Sequence, residues 1–230
     1  MKLVDFHAHI LPNADHGSND VSTSLLQLAA AETHGVEAIV ATPHFYPDRH
    51  HVEDFLSRRE SSAGKLAAAY DGSIAVFMGA EVLLCEGIAN LPELAQLCIA
   101  GTNVLLIEMP MNSWSRRHTS ALTELRDMGK FNIVLAHVDR YPSEKMEELL
   151  EMGFKGQINA ESLCQIRCRK RLRYWLEKYD IVALGSDIHG RESQAYAKFK
   201  RACALLGTEG DRLMARTEQL LECACKISGI

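Results

Sequence analysis

The chain has 230 residues, is 47% hydrophobic and 24% charged, and carries 25 Lys and Arg against 30 Asp and Glu, a formal charge of -5. That balance fits one domain over residues 1–230 with a sizeable core, and a negative chain lacks the basic surface of a general nucleic-acid binder. No apolar run reaches membrane-spanning length, Asp5 and two histidines interrupt the first apolar stretch so that it is no signal peptide, and a cytoplasmic location is expected.

The first β-rich run, "KLVDF" (2–6), leads into His7 and His9 within "VDFHAHILPNADHGS". In a strand, residues i and i+2 share a face, so both imidazoles project together from its end. A helix over 24–35 follows with a glycine stop, and its His34 complements the helix dipole in the last turn, a structural role. The second run, "VEAIVAT" (36–42), is followed by His44 in "ATPHF"; the third, "SIAVFMGA" (73–80), by Glu81. A helix over 52–70 separates them. The fourth run, "NVLLIE" (103–108), ends on Glu108, and after a helix over 119–129 the fifth, "NIVLAH" (132–137), ends on His137. A helix over 143–153 leads to the sixth run, "GQIN" (156–159), which brings no candidate. The basic stretch "RCRKRLRYW" (167–175) spreads its charges round a helix and reads as a solvated surface. The seventh run, "DIVALGS" (180–186), is followed by Asp187 and His189. Helical stretches over 191–206 and 208–227 are expected to pack outside the barrel.

Strands alternating with helices predict parallel pairing through right-handed crossovers. Seven such units fit an incomplete or distorted (β/α)7 barrel, and no GxGxxG or P-loop follows the first strand. In such a barrel the C-terminal strand ends converge on one face, where active sites are built. The histidines and carboxylates stand at those ends on six of the seven runs, a regularity that chance placement does not produce. Imidazoles and carboxylates without thiolates suit Zn, Mn or Fe. The set exceeds what one ion can use, which implies at least two ions sharing a bridging carboxylate.

Other chemistries fit less well. No cysteine has an arginine six positions later, which excludes the C-x5-R phosphatase motif, and no lysine stands at a strand end to bridge metals as in amidohydrolases. The seven cysteines, odd in number and never spaced CxxC, read as buried or incidental thiols. A non-catalytic scaffold would not need so full a ligand set.

The segments "DFHAHILP", "ATPHF", "GAEV", "LLIEMP", "AHVDRY" and "SDIH" occur in the order that resembles the polymerase-and-histidinol-phosphatase (PHP) superfamily, and within it the capsule-biosynthesis-type protein tyrosine phosphatases. The resemblance implies a trinuclear centre. His7, His9, Glu81 and Asp187 would hold one ion; Glu81 would bridge to a second held by Glu108 and His137; His44, His189 and the residue before Gly17 would hold the third. That branch usually has Asp before the glycine, whereas this chain has His16 there, preceded by Asp15. His16 is the expected ligand, at the loss of one negative charge. Two to three divalent ions are implied, Mn foremost, with Zn or Fe as alternatives. Arg140 would grip the phosphoryl oxygens, as would Arg191, although it stands nearer its histidine than the family's second arginine does. The implied substrate is phosphotyrosine on an autophosphorylating bacterial kinase that controls capsular or exopolysaccharide synthesis. Histidinol phosphate or another small ester could use the same site.

Overall fold

A computed structural model describes residues 2–111, 114–191 and 194–227. In chain order the elements are β1 (Leu3–Ala8), α1 (Val21–Thr33), β2 (Val36–Ala41), β3 (His44–Phe45), α2 (Val52–Ala67), β4 (Ala75–Met78), β5 (Glu81–Leu83), β6 (Val104–Glu108), α3 (Arg116–Asp127), β7 (Asn132–Leu135), α4 (Ser143–Glu151), β8 (Lys155–Asn159), α5 (Ala160–Cys164), α6 (Ile166–Lys178), β9 (Ile181–Gly185), α7 (Ala195–Leu206) and α8 (Thr208–Leu220). Every pairing between these strands is parallel, in the orders β1-β2-β4 and β3-β5-β6-β7-β8-β9.

Seven expected runs become nine strands because two of them are followed by a further short strand. Beyond the second run the chain passes Pro43, which has no N–H to give, and pairs again as β3; the third stops pairing at Gly79, and the chain pairs again beyond it as β5. The Gly79 N–H donates to the Ala41 carbonyl and the Glu81 N–H to that of Pro43, so the two segments turn together. Glu81 therefore follows the end of β4 and also begins β5. At the seam between last and first strands, the Asp187 N–H donates to the His7 carbonyl (2.8 Å) and the His9 N–H to that of Ile188 (3.2 Å). The buried Asp5 carboxylate reinforces it, accepting from the Ser186 N–H (2.8 Å) and hydroxyl (2.6 Å).

Side-chain alternation builds two apolar layers from the same strands. Val4, Phe6, Val40, Leu106, Val134 and Val182 form an inward cluster, while Ile39, Leu105, Ile107, Leu135 and Leu184 join the larger cluster that the helices cover. Glu108 shares the parity of Val104 and Leu106, which turns its carboxylate inward at the end of β6.

Two expectations are corrected. The helix expected over 208–227 ends at Leu220, and it does not simply pack outside. Thr217 and Arg216 donate to the carbonyls of Val182 and Ile181, Leu220, Leu221 and Ala224 pack on the inward cluster, and the Ile227 N–H donates to Val76. The C-terminal segment plugs the N-terminal end of the strands, where apolar side chains would otherwise meet water. The basic stretch is only partly a solvated surface: Arg169, Arg171 and Arg173 of α6 donate to backbone carbonyls, while Leu172 and Trp175 are buried. All seven cysteines are free; Cys98 and Cys203 are buried, Cys223 and Cys225 exposed. Among the described residues, no helix is long and apolar enough to cross a membrane.

Candidate metal centre

The strand ends bring His7, His9, His44, Glu81, Glu108, His137 and Asp187 to one face, and all but Asp187 are buried. His137 and Asp187 have left-handed backbones, φ 31° and 53°, which turn the chain sharply as it leaves β7 and β9. Non-glycine residues tolerate that conformation only where surrounding bonds hold them. Here the Gln157 side chain takes the His137 N–H, and the His7 carbonyl takes that of Asp187.

One group of four donors is compact. His7 Nε2 and His9 Nε2 lie 3.2 Å apart, and each stands 3.3 Å from Glu81 Oε2. Asp187 Oδ1 lies 3.8 Å from the first nitrogen and 3.5 Å from the second. Four donors about 2.1 Å from a tetrahedral ion lie about 3.4 Å from one another, the spacing found here. A second group adjoins it. Glu81 Oε1 is 2.7 Å from His137 Nε2, which is 3.6 Å from Glu108 Oε1. His44 Nδ1 is 2.9 Å from Glu81 Oε2 and 3.9 Å from Glu108 Oε2. Both His44 Nδ1 and Glu81 Oε2 are buried without a hydrogen-bond partner. Such orphaned, convergent lone pairs suit a cation better than they suit one another. A third grouping joins His9, His44 and His189.

The electrostatics match this crowding. Burial, the largest single influence, pulls the His7 imidazole down, but the charge and contact of Glu81 together with the Asp187 charge outweigh it and lift the pKa to about 9. His9, buried likewise, is raised well above the ordinary value by its contacts with Asp15, Asp187 and Glu81. Burial works against ionisation of Glu81, yet His7 and His137 hold its carboxyl well below the usual range. Glu108 shifts the other way, raised by burial and by the neighbouring Glu81 charge.

The loop before Gly17 separates the roles of Asp15 and His16. Asp15 Oδ2 accepts from His9 Nδ1 (2.7 Å) and from the His44 N–H (2.9 Å), and Oδ1 accepts from the Gly17 N–H (2.8 Å). Its oxygens are committed to holding His9, the His44 backbone and the turn at Gly17. The His16 ring instead faces those of His44 and His189, at 4.8 and 4.9 Å between centroids. Burial and the neighbouring histidines lower the pKa of His16, and that of His189 to about 4, which keeps both imidazoles neutral and able to donate a lone pair.

Over the group opens a cavity of 730 Å³, lined by His16, His44, Tyr46, Arg140 and Asp187 among others. Arg140 Nη1 donates to Asp187 Oδ2 (2.9 Å), and Tyr46 stacks on His44 at 5.3 Å. Arg191 is exposed, faces the charge of Asp20, and does not line the cavity. His34 caps α1 by bonding the Ala30 carbonyl, far from this chemistry. Sequence reasoning passed over Tyr46, Gln157 and Asn159. For the last two a signal existed: polar residues at i and i+2 on an otherwise buried strand, the same pattern that marks His7 and His9.

The family model for capsular polysaccharide synthesis proteins CpsB/CapC matches residues 3–222. The tyrosine-protein phosphatase CpsB of Streptococcus pneumoniae is 26% identical over 212 residues, 84% of this chain and 85% of that protein. The tyrosine-protein phosphatase YwqE of Bacillus subtilis (strain 168) is 28% identical over 171 residues, 71% of this chain and 67% of that one. Crystal structures of YwqE and CpsB, described as unique metal-dependent tyrosine phosphatases, share the fold with a TM-score of 0.79 at 23% identity, covering 97% of this chain and 96% of the matched one.

Proposed function

The chain belongs to the CpsB/CapC family of capsular polysaccharide synthesis proteins, and from that premise we propose that residues 1–230 form one metal-dependent phosphatase domain acting on protein phosphotyrosine. The observation that carries the proposal is the set of donors from His7, His9, Glu81 and Asp187, whose spacings are those of ligands round one ion. Glu81 reaches with its other oxygen to His137 beside Glu108, the place for a second ion. His44, His189 and His16 are the ligands for a third, Asp15 being occupied elsewhere. Two to three divalent cations are proposed, with Mn first.

Such ions supply positive charge to the phosphate and lower the pKa of a water molecule. The protein's own contribution is placement. Arg140 has one N–H on Asp187, which leaves the rest of its fork for phosphoryl oxygens. The Tyr46 ring provides an aromatic wall against which the substrate's phenyl group can stack. Phenolate leaves readily because the tyrosine pKa is near 10, so no strong general acid is needed. By the family relationship, the substrate is a phosphotyrosine-bearing kinase that autophosphorylates and regulates capsule or exopolysaccharide export, met in the cytoplasm.

Phosphate release from a phosphotyrosine peptide and from histidinol phosphate, compared with Mn added, tests this. Metal-dependent turnover of the peptide, abolished by chelator and in His9→Ala, is expected. Preference for histidinol phosphate would overturn the substrate, and turnover that survives chelation would overturn the centre.

A further inference from the structure

Strand β8 is the one expected strand that brings no candidate ligand, yet its side chains bond to His7, to the His137 N–H and to Asp187. The Gln157 side chain is fully buried. Its orientation is unambiguous. The atom 2.7 Å from the His137 N–H must be an acceptor, hence Oε1. The opposite end must then be Nε2, and it donates to the Ile158 carbonyl (2.7 Å) and to Asn159 Oδ1 (3.0 Å). The same Oε1 lies 3.0 Å from His7 Nδ1. An oxygen with no hydrogen to offer compels Nδ1 to be the protonated nitrogen. The lone pair of a neutral His7 is therefore on Nε2, the atom that faces His9, Glu81 and Asp187.

The chain of bonds continues. Asn159, with its Oδ1 taken by Gln157, donates from Nδ2 to Asp187 Oδ2 (3.0 Å), leaving Oδ1 of that carboxylate toward the histidines. Gly185 on β9 makes the room: a Cβ there would stand 2.6 Å from both Gln157 Nε2 and His7 Cβ. We propose that Gln157 is a positioning residue for the metal centre, fixing the tautomer and ring orientation of His7 and, through Asn159, the rotamer of Asp187. It does for His7 what the Asp15 carboxylate does for His9, with a neutral amide in place of a charge. The inference rests on the metal reading of the site.

The test uses the full chain and zinc alone, which is diamagnetic, with affinity measured by chelator competition for wild type, Gln157→Leu and Gln157→Glu. Gln157→Leu, which removes the acceptor, is expected to bind zinc about 10- to 100-fold more weakly. Gln157→Glu keeps an acceptor for both His7 and His137 but gives up the donor to Asn159, and is expected to bind zinc more weakly than wild type yet more tightly than Gln157→Leu. A packing role alone would predict the opposite order, since a buried leucine is better tolerated than a buried carboxylate. In the zinc-loaded wild type, long-range proton–nitrogen correlation should find a hydrogen on His7 Nδ1 and the metal on Nε2, a reading that needs no variant to fold. Unchanged affinity in Gln157→Leu, or a His7 Nδ1 without a hydrogen, would overturn the proposal. A wild type that binds no zinc would overturn the metal reading itself, and this proposal with it.

Discussion

Asp5 offers a direct measure of what holds β1 and β9, and the clustered donors they carry, together. It is fully buried, and its carboxylate is the acceptor for the Ser186 N–H (2.8 Å), the Ser186 hydroxyl (2.6 Å) and, at 3.3 Å, the His7 N–H. Burial pushes its pKa up to about 6, against the pull of the Ser186 bonds, so the carboxylate is held at a cost. Hydrogen bonds to an ionised group contribute roughly 1.5–3 kcal/mol each, and a buried donor stripped of its acceptor loses roughly 1–3 kcal/mol. Discounting the two strong bonds for the desolvation already borne, Asp5→Ala should lower unfolding free energy by about 3 kcal/mol. Asp5→Asn keeps one acceptor oxygen and sheds the buried charge, and should cost only about 1 kcal/mol. Ser186→Ala should show a coupling with Asp5→Ala of about 1–2 kcal/mol in a double-mutant cycle. The assay is urea denaturation at pH 7 in the presence of chelator, so that metal binding adds nothing to the differences. An Asp5→Ala protein within about 0.5 kcal/mol of wild type, below the usual effect of a core change, would refute the reasoning that this carboxylate ties β1 to β9.

Four further outcomes are expected. Glu81→Gln, which removes the carboxylate lying between His7, His9, His44 and His137, should reduce kcat/KM at least about 100-fold and lower the bound metal measured by elemental analysis. Arg140→Lys keeps the charge but not the fork, so kcat/KM on a phosphotyrosine peptide should drop about tenfold, roughly 1.4 kcal/mol of transition-state stabilisation; an unchanged value would remove Arg140 from phosphate recognition. His16→Asp places a carboxylate beside His44 and His189 and should raise the metal-to-protein ratio retained on dialysis, whereas an unchanged ratio would place position 16 outside the centre. Far from the site, the Tyr70 hydroxyl and the Ser73 N–H hold the Glu32 pKa below its ordinary value. That contribution is present above the unfolded pKa near 4.5 and is lost as pH falls through the lowered folded value. Tyr70→Phe should therefore differ less from wild type in acid than at pH 7 in denaturation curves, and by less than about 1 kcal/mol at neutral pH because Glu32 is solvated.

The strands that carry the clustered histidines and carboxylates were legible because each of those residues sits where an apolar, β-branched run stops. "NVLLIE" ends on Glu108 and β6 ends on Glu108; "DIVALGS" precedes Asp187 and β9 ends two residues before it. The end of the second run before Pro43 was legible, but the short strand β3 beyond it was not, since a proline after a strand-like run can end it or merely kink it. Only the bonds from Gly79 and Glu81 across to the second strand distinguish the two. The plug formed by residues 208–227 was not legible, because helix periodicity records an apolar face but not which surface covers it.

Local pattern by itself determined the element types, the parallel order and the identity of the clustered donors, because each depends on residues within a few positions of one another. Which carboxylate oxygen faces which nitrogen, that Asp15 braces His9 while His16 faces the third group, and that Gln157 sets His7 were decided by tertiary structure alone. Those partners stand on different strands and loops, 150 positions apart in the case of His7 and Gln157, and a hydrogen bond of 3.0 Å between them exists only once the strands have curved round to bring β9, with β8 beside it, against β1.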